Sequence, residues 1–384
     1  MPEGDDLSVL NDDPFKQAVS QFEELLVQSR PAFLLGAGCS KCVGIPLAGE
    51  LTSHVLRKGT LDEDSKIILE SIENQFCGAG YAQIEDYLSE LIDLLAIAER
   101  RRVRGATRQI VSIGDREYVA EELRNAVEQI KQAIASAIES GKISIETHRN
   151  FVAAVHRPVR VGKQLQAGDS VDYLILNYDT IIEDALALEK ISYSDGIEGG
   201  VTGWWNPQTF DREGLEARVF KLHGSINWYE EPGDPLPRRV SPNIKLRGND
   251  RHKILIWPAS TKYRETQLEP FAQLADRARG AMRPELGRQR ALVICGYSFR
   301  DEHINKELER ALQESKDKLT VVAFTHEDEL TGVLQAWNEN ETLREQVLIF
   351  GNRGFFHGET KESSDKDLPW WKFENITRIL KGER

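Results

Sequence analysis

The chain has 384 residues, 40% hydrophobic and 29% charged, a composition typical of a soluble globular protein with a substantial core. No apolar run approaches the roughly 20 residues of a membrane-spanning helix, and the first residues do not resemble a signal peptide, so no membrane association is expected. The net charge of −13 disfavours direct nucleic-acid binding, which relies on many Lys and Arg contacts to phosphates. Four cysteines without the spacing of a disulfide framework favour a reducing, cytoplasmic location.

The first predicted elements are a helix, a strand and a glycine-rich loop. Apolar residues at helical spacing over 15–26 predict an amphipathic helix, and the apolar run 32–35 predicts a strand. The strand leads into GAGCS at 36–40 and GIP at 44–46. Glycine lets a backbone turn sharply and approach a ligand closely. Amides at a helix N-terminus favour an anion such as pyrophosphate, and the helix predicted to carry them here covers 47–57. By itself such a loop is more often a tight turn than a nucleotide site.

A helical region follows. Three amphipathic helices are predicted, at 62–76, 84–98 and 119–138. No strand-like run interrupts them, and 105–116 is predicted to be a mobile loop. We therefore predict an inserted helical module at 60–156 within an α/β domain formed by 1–59 and 157–384.

Strand-like runs return after this region. They lie at 172–176, 219–222, 254–257, 291–295, 319–324 and 347–350. Several are apolar throughout, as parallel strands covered on both faces are. Helices are predicted at 180–190, 301–314 and 326–338. The fold class is therefore α/β, a Rossmann-like doubly wound parallel sheet with an inserted all-helical module. The Gly-, Pro- and polar-rich segments 193–218 and 230–249 are predicted to be long loops over the site.

Polar residues follow four predicted strands at their carboxyl ends, where an open α/β sheet binds ligands. Besides the glycine loop, they are Asn177 and Asp179, then His223, Gly224 and Ser225, and then Gly296, Tyr297 and Ser298. Taken singly, Asn177 could be a turn former, Asp179 and Asp301 could be helix N-caps, and His223 could be a structural histidine. Cys39 and Cys42 have the spacing of a zinc half-site, but the chain has no second cysteine pair, and we predict no metal.

The motifs together are more specific than any one of them. G-A-G-x-S-x-x-x-G-I-P at 36–46, N-x-D at 177–179, H-G-S at 223–225 and G-Y-S-F at 296–299 resemble the silent-information-regulator, or sirtuin, family. The likeness is greater to its bacterial sirtuin-like branch. It covers about 30–58 and 170–350 and does not extend to the helical module.

The resemblance implies that NAD+ is bound as the substrate. It implies a pyrophosphate loop of Gly36, Ala37, Gly38 and Ser40, followed by Ile45 and Pro46. It implies that Asn177 and Asp179 hold the nicotinamide ribose and carboxamide, and that His223, followed by Gly224 and Ser225, contacts the ribose hydroxyls as a general base. It places Gly296, Tyr297 and Ser298 near the adenosine ribose.

Departures from the family pattern bear on the activity. Protein-deacylating sirtuins carry four zinc cysteines in their small domain and a glutamine where Leu176 stands. Their loop continues into a Phe-Arg element where Leu47 and Ala48 stand, and 257–260 replace their Phe-Gly-Glu segment. These differences favour an NAD+ glycohydrolase that releases nicotinamide and ADP-ribose, as in NAD+-depleting anti-phage defence. The alternatives are an NAD-dependent protein deacylase and a catalytically silent NAD- or ADP-ribose-binding assembly subunit.

No second sensing domain is recognisable, so a separate activating partner is expected. Similar short sirtuin-like proteins pair with a HerA-type hexameric ATPase, and a homo-oligomer is also expected. The aromatic patch with Trp370 and Trp371 is expected to be a docking edge or a core cap rather than a catalytic part, and either the helical module or this tail could contact the partner.

Overall fold

A computed structural model gives the architecture of the chain. It describes residues 5–58, 61–76, 82–140, 144–160, 170–231, 234–240, 253–256, 269–284 and 288–383. The helices are α1 (Asp13–Gln28), α2 (Gly38–Lys41), α3 (Ala48–Lys58), α4 (Glu63–Glu73), α5 (Ile84–Val103), α6 (Ala120–Glu139), α7 (Glu146–Arg160), α8 (Ile181–Leu188), α9 (Phe271–Met282), α10 (Glu302–Glu314), α11 (Gly332–Glu339) and α12 (Phe373–Leu380). Among these described helices, none is both long and apolar enough to cross a membrane.

The strands form three sheets. They are β1 (Arg30–Leu35), β2 (Val111–Ile113), β3 (Arg116–Tyr118), β4 (Val171–Ile175), β5 (Tyr193–Ser194), β6 (Ile197–Gly199), β7 (Gly203–Trp205), β8 (Ala217–Lys221), β9 (Gly224–Glu231), β10 (Asp234–Arg239), β11 (Lys253–Ile256), β12 (Arg290–Cys295), β13 (Leu319–Phe324), β14 (Val347–Gly351), β15 (Gly354–His357) and β16 (Thr360–Ser363).

The main sheet has nine strands in the order β16-β15-β14-β13-β12-β1-β4-β8-β5. The seven strands from β14 to β5 are parallel, and β15 and β16 add an antiparallel edge. In the register, Phe33 of β1 lies between Val293 of β12 and Tyr173 of β4. Since β4 and β12 are buried along their length and β1 over its last four residues, their apolar runs reflect helices on both faces. The predicted doubly wound parallel sheet is confirmed.

Alternate residues of each central strand feed two separate cores. Phe33 and Tyr173 point to one face, which is covered by α1, α7, α8 and α12. Leu34 and Leu174 point to the other face, which is covered by α9, α10 and α11. Burial of this apolar area is the main driving force for closing the layers, at roughly 25 cal/mol per Å² removed from water.

A third core belongs to the helices α3 to α6. It also takes in Ile45, Tyr178 and Ile226, which follow β1, β4 and the start of β9. The helical module therefore sits on the carboxyl edge of the main sheet. α3 contributes to this core, whereas α7 packs on the sheet, with Phe151 edge-to-face against Phe33 at 5.3 Å. The division at 60–156 remains a prediction.

The module contains strands that the sequence pattern did not predict. The segment 105–116, predicted to be a mobile loop in an uninterrupted helical region, forms most of the β2–β3 hairpin, with Gly114 at a φ of +60° in its turn. Each strand is three residues long, too short to show an alternating pattern. The prediction of a strand-free module was wrong.

The predicted loops over the site also contain strands. The segment 193–218 contributes β5 and the hairpin β6–β7, and 230–240 contributes the end of β9 and β10. A five-stranded sheet in the order β11-β9-β10-β7-β6 results. The predicted strand at 254–257 belongs to this smaller sheet as β11. Residues 241–250 and 257–260, and Cys77, lie outside the described residues.

The C-terminal tail is a cap on the core. The Trp370 side chain is fully buried between Phe15 and Phe350, and its indole N–H donates to the carbonyl of Gly351 at 2.7 Å. The Trp371 indole donates to the Asn352 side chain at 2.8 Å. Of the two roles that the sequence left open for this tail, docking edge and core cap, Trp370 therefore has the second.

Candidate functional site

The candidate site lies at the topological switch point of the main sheet, where the order in which strands are added reverses. From β1 the strand order runs through β4 and β8 on one side, and through β12, β13 and β14 on the other. In doubly wound sheets the crevice outside the carboxyl ends of the strands at this switch point is the usual ligand site. Gly36 follows β1 and Gly296 follows β12, so two of the predicted motifs meet here.

The two glycine segments are locked together through their backbones. The Gly36 amide donates to the carbonyl of Cys295, and the Gly38 amide donates to the carbonyl of Gly296, each at 2.9 Å. A Cβ atom on Gly36 would lie 2.5 Å from the Gly296 oxygen, and one on Gly38 would lie 2.7 Å from the Gly296 Cα. Gly296 also has a φ of +62°. Close contact between the loops therefore explains these glycines without a ligand.

The loop amides have partners within the protein. Besides the two glycine amides, that of Cys39 donates to Gly36 and that of Ser40 donates to Ala37, at 3.0 and 3.1 Å. These bonds wind the loop into α2, a helix of only four residues. The sequence predicted that a helix at 47–57 carries the loop amides. The helix itself is present as α3 within a residue at each end, but the loop residues form α2, so the assignment of the loop amides to the later helix was wrong.

Asn177 and Asp179 both reach the glycine loop from the end of β4. The Asn177 side-chain amide donates to the Gly36 carbonyl at 3.0 Å and to the Ser40 hydroxyl at 2.8 Å. The Ser40 hydroxyl in turn donates to the buried Asp179 carboxylate at 2.7 Å. Asp179 also accepts the Ile181 amide at 3.1 Å. The same carboxylate therefore binds both the first residue of α8 and the glycine loop. The order Asn177–Ser40–Asp179 fixes two strand ends relative to each other.

His223 lies at the end of β8 and faces Asp301. Its side chain is buried, and Nε2 is 3.6 Å from Oδ2 of Asp301. Oδ1 of Asp301 accepts the amides of His303 and Ile304, which makes it the N-cap of α10, as its sequence position indicated. A single carboxylate thus starts a helix and places charge beside His223. The sequence marked Asp301 as a cap but did not pair it with His223.

The residues after His223 join the ends of β8 and β4. Gly224 has a φ of +82°, a conformation that side-chain-bearing residues rarely adopt. The Ser225 hydroxyl and the Ile226 amide both donate to the Tyr178 carbonyl, at 3.3 and 3.0 Å. The Tyr178 hydroxyl donates to Glu85 of α5 at 3.1 Å. The N-x-D turn is therefore anchored both to the next strand end and to the helical module.

The segment after β12 is braced by Tyr297. Its hydroxyl donates toward the Asp301 carbonyl and the Asn305 side chain, at 3.0 and 2.9 Å. Burial raises the pKa of this phenol above its ordinary value. Ser298 is exposed, and Phe299 has a φ of +55°, which is uncommon for a non-glycine residue. Strained backbone of this kind often occurs at functional sites.

Three buried titratable residues near the site were not identified from the sequence. His148 of α7 is 1% exposed, hydrogen-bonds the backbone of Cys39, and has a pKa lowered to about 4, mainly by burial. Lys221 and Glu183 form a buried ion pair behind Asp179. Burial also raises the pKa of Glu183 to about 7. No local pattern marks these residues, because their burial depends on tertiary packing.

The cysteines near the loop are free thiols. Cys39 and Cys295 are buried, burial raises the pKa of both, and burial raises the pKa of Cys42 to about 12. Thiols of this kind are poor metal ligands, since a ligand must be the thiolate. Within the part of the chain that the structure describes, no group of three or more His, Cys, Asp or Glu side chains is placed to hold a metal ion.

A cleft of about 1590 Å³ opens beside the glycine loop. Its walls are α3, α4 and the start of α5, and the loop contributes Lys41, Gly44 and Pro46. Arg300, which follows the Tyr297 segment, also lines it. The cleft therefore lies between the helical module and the segments that follow β1 and β12. Asn177 and His223 are not among the residues that line it.

Comparison with known proteins identifies one domain. Residues 173–346, which hold the N-x-D, H-G-S and G-Y-S-F motifs, match the model of the SIR2-like domain, and the chain is sirtuin-like over this segment. No curated protein sequence matches the chain.

Solved structures with a similar course of the chain have low sequence identity. A complex of a Sir2 homologue with NAD has 12% identity and a TM-score of 0.41, covering 94% of this chain and 93% of that one. A histidine-to-asparagine variant of a Sir2 homologue with ADP-ribose has 12% identity and a TM-score of 0.38, covering 94% and 95%.

Proposed function

We propose that this chain, sirtuin-like over residues 173–346, is an NAD+ glycohydrolase that cleaves the bond between nicotinamide and ribose. The observation that carries the proposal is the meeting of four strand ends at the switch point. There Asn177 and Asp179 converge on Ser40, and His223 faces Asp301. Apart from Asp301, these are side chains for which the sequence resemblance implies contact with NAD+.

The reaction asks for charge stabilisation and a proton acceptor. When the C1′–N1 bond breaks, its electron pair leaves with nicotinamide, and positive charge develops on the ribose. Water then adds to C1′, and its proton must be accepted. Fixed dipoles and carboxylates in a closed site stabilise such a transition state without reorganising. The products are nicotinamide, ADP-ribose and one proton.

His223 is the proposed general base. An imidazole has an unperturbed pKa of about 6.5, which suits proton transfer near neutral pH. The Asp301 carboxylate, 3.6 Å away, would stabilise the imidazolium that forms. Asn177 would orient the ribose or the attacking water, and Asp179 would fix the nicotinamide carboxamide. The remaining proposed contacts with NAD+ are those of the glycine loop and of Gly224, Ser225, Gly296, Tyr297 and Ser298.

The number and positions of the cysteines favour hydrolysis over protein deacylation. The whole chain has four, and two of them, Cys39 and Cys295, are buried at the carboxyl ends of β1 and β12. A four-cysteine zinc site in the module therefore cannot be assembled from this chain. The module core is built from helices and a short hairpin instead.

The proposed setting is NAD+ depletion in the cytoplasm as anti-phage defence. Such an activity must be suppressed in healthy cells, so the proposal includes an activating partner, a HerA-type hexameric ATPase, and a homo-oligomer. Since Trp370 is buried, we propose the exposed face of the helical module, rather than the tail, as the contact with the partner.

The test is nicotinamide release from NAD+ by the purified chain, alone and with the candidate ATPase. Release without an acyl peptide, lost in both Asn177→Ala and His223→Ala, is the expected result. Release only when an acyl-lysine peptide is added would assign a deacylase. If the chain binds NAD+ but releases no nicotinamide under any of these conditions, it is a catalytically silent assembly subunit.

A further inference from the structure

A buried ion pair lies directly behind the N-x-D turn. Lys221 is the last residue of β8, and its side chain is fully buried. Its Nζ lies 3.3 Å from Oε1 of Glu183, whose side chain is 7% exposed in the first turn of α8. The same Nζ donates to the backbone carbonyl of Asp179. Lys221 thus connects the end of β8 to the turn that carries Asp179.

The pair is poorly suited to a purely stabilising role. Removing two charges from water costs several kcal/mol per ion, and a buried pair repays this only when its remaining hydrogen-bonding capacity is satisfied. Oε2 of Glu183 is buried without a hydrogen-bond partner in the structure. Well-packed apolar residues of similar volume would serve stability equally well. The geometry at Asp179 offers a more specific role.

Asp179 is held at three points. Its carboxylate accepts the Ser40 hydroxyl and the Ile181 amide, and its carbonyl accepts the Lys221 ammonium. The first contact belongs to the glycine loop and the second to α8. Of these three contacts, the one with Lys221 ties Asp179 to β8, the strand that leads into His223. Without the ammonium, this carbonyl would be a buried acceptor lacking its partner, and the turn would relax.

We infer that Lys221, supported by Glu183, is a positioning residue that holds the Asp179 carboxylate against Ser40 and in register with His223. This inference rests on the NAD+ glycohydrolase function proposed above. The Lys221 side chain is fully buried and its ammonium contacts Glu183 and the Asp179 carbonyl, so we infer that it acts through Asp179. It should therefore affect the rate of bond cleavage more than the affinity for NAD+.

The surroundings explain why a lysine is suited to this position. Asp179, Glu183 and Asp195 are three buried carboxylates close together, and Arg239 pairs with Asp195. Lys221 pairs with Glu183, and its ammonium also contacts the backbone carbonyl of Asp179. A neutral residue there would leave Glu183 without its ion-pair partner beside two other buried carboxylates, which is costly at low dielectric.

The decisive variant is Lys221→Met, with Lys131→Met as its matched control. Lys131 is also a buried lysine, but it belongs to α6 in the module. For Lys221→Met we expect kcat for nicotinamide release to fall by about tenfold or more, with the KM for NAD+ changed by less than about threefold. Lys131→Met should keep the wild-type kcat. A full kcat in folded Lys221→Met, or a loss confined to KM, would overturn the inference.

A second readout does not depend on activity. Amide hydrogen exchange of the peptide spanning 177–184 includes the Ile181 amide, which the Asp179 carboxylate accepts. In Lys221→Met this peptide should exchange about tenfold faster, since the turn opens more often, whereas in Lys131→Met it should not. If the wild-type chain releases no nicotinamide, the proposed function fails, yet this exchange still decides the positioning role. Unchanged exchange would refute it.

Glu183→Gln tests the inference independently if Lys221→Met does not fold. Glutamine keeps an oxygen at the position of Oε1 but removes the charge. Because burial raises the pKa of Glu183 to about 7, ionisation of this residue should contribute an inflection near neutral pH to the wild-type kcat profile. That inflection should be absent in Glu183→Gln, and Glu183→Ala should lower kcat as Lys221→Met does. An identical profile in Glu183→Gln together with full kcat in Glu183→Ala would contradict the inference.

Discussion

Nε2 of His223 lies 3.6 Å from Oδ2 of Asp301, while Oδ1 of the same carboxylate caps α10. The two functions can be separated, because asparagine also caps helices well. Asp301→Asn should leave the melting temperature within about 2 °C of the wild type. It should lower nicotinamide release by about tenfold or more, because the imidazolium of His223 loses a neighbouring charge. Thermal unfolding and a nicotinamide assay measure both effects.

The control is Asp301→Ala, which removes the cap as well as the charge. It should cost about 1 kcal/mol of folding stability in addition to the loss of activity. Full activity in Asp301→Asn would show that the carboxylate serves α10 alone and that His223 acts without it.

Asn177→Ala should abolish activity with little loss of stability. The amide donates both to Gly36 and to Ser40, so its removal frees the glycine loop and takes away a polar group from the predicted ribose site. Loss of one well-placed donor of this kind typically lowers kcat by about 10²- to 10³-fold. Asn150→Ala, on α7, is the control and should keep wild-type kcat. Comparable kcat in the two variants would remove Asn177 from the mechanism.

The glycines of the site should be intolerant of a methyl group for structural reasons. In Gly296→Ala the new Cβ would lie 2.4 Å from the Cys39 amide nitrogen, on a residue with a φ of +62°. The backbone strain alone costs about 1–3 kcal/mol. The matched control is Gly280→Ala in α9, where nothing lies within 4 Å and a gain of up to about 1 kcal/mol is expected. Urea unfolding of both variants measures the free energy of unfolding, which should fall in Gly296→Ala and rise in Gly280→Ala.

The frame of the fold could be predicted because its strands are long and apolar. The runs at 172–176 and 291–295 correspond to β4 and β12 within a residue at each end. The hairpin β6–β7 of the small sheet was missed because its strands have three residues each and pair Gly199 with Gly203. Strands this short gain their identity from their partners in the sheet rather than from a local pattern.

The site was predictable only where it follows strand ends. Carboxyl ends of parallel strands meet at one edge, which allowed Asn177 and His223 to be placed near the glycine loop before the fold was known. His148 carries no such signal, and Lys221 lies at a strand end but nothing in the local sequence marks it as buried, since lysine is mostly exposed. Their burial follows from how α7 and β8 pack, which requires the tertiary structure.

Trp370→Ala should destabilise the whole α/β domain. The indole is edge-to-face with Phe15 and Phe350, at 5.6 and 4.9 Å between ring centroids, and its N–H is satisfied by Gly351. Removing a fully buried aromatic side chain costs about 3–5 kcal/mol. The neighbouring Trp371→Ala should cost less, since that ring is only partly buried. Equal stability of wild type and Trp370→Ala in urea would contradict the core-cap role.

The buried His148 should make the protein less stable in mild acid. Its folded pKa of about 4 lies below the unfolded value, so between the two the unfolded state binds more protons. Stability therefore falls as pH decreases through this window and rises as pH increases. Between about pH 7 and about pH 5, His148 alone should account for a loss of about 2 kcal/mol. In His148→Phe the stability difference between these two pH values should shrink by that amount, measured by urea unfolding.

Glu183 should change the pH dependence of folding stability in the direction opposite to His148, so it serves as a control. Its folded pKa of about 7 lies above the unfolded value, so between the two the folded state binds more protons. Its contribution to stability is therefore present at acidic pH and is lost as pH rises toward and past 7. Replacing it in Glu183→Gln should make stability rise more steeply from about pH 5 to about pH 7, whereas His148→Phe makes the same rise shallower. Opposite changes in slope from two residues that lie near the same carboxylate, Asp179, would show that the site balances a buried base against a buried acid. Changes of the same sign would mean that one of the two groups is not buried as the structure has it.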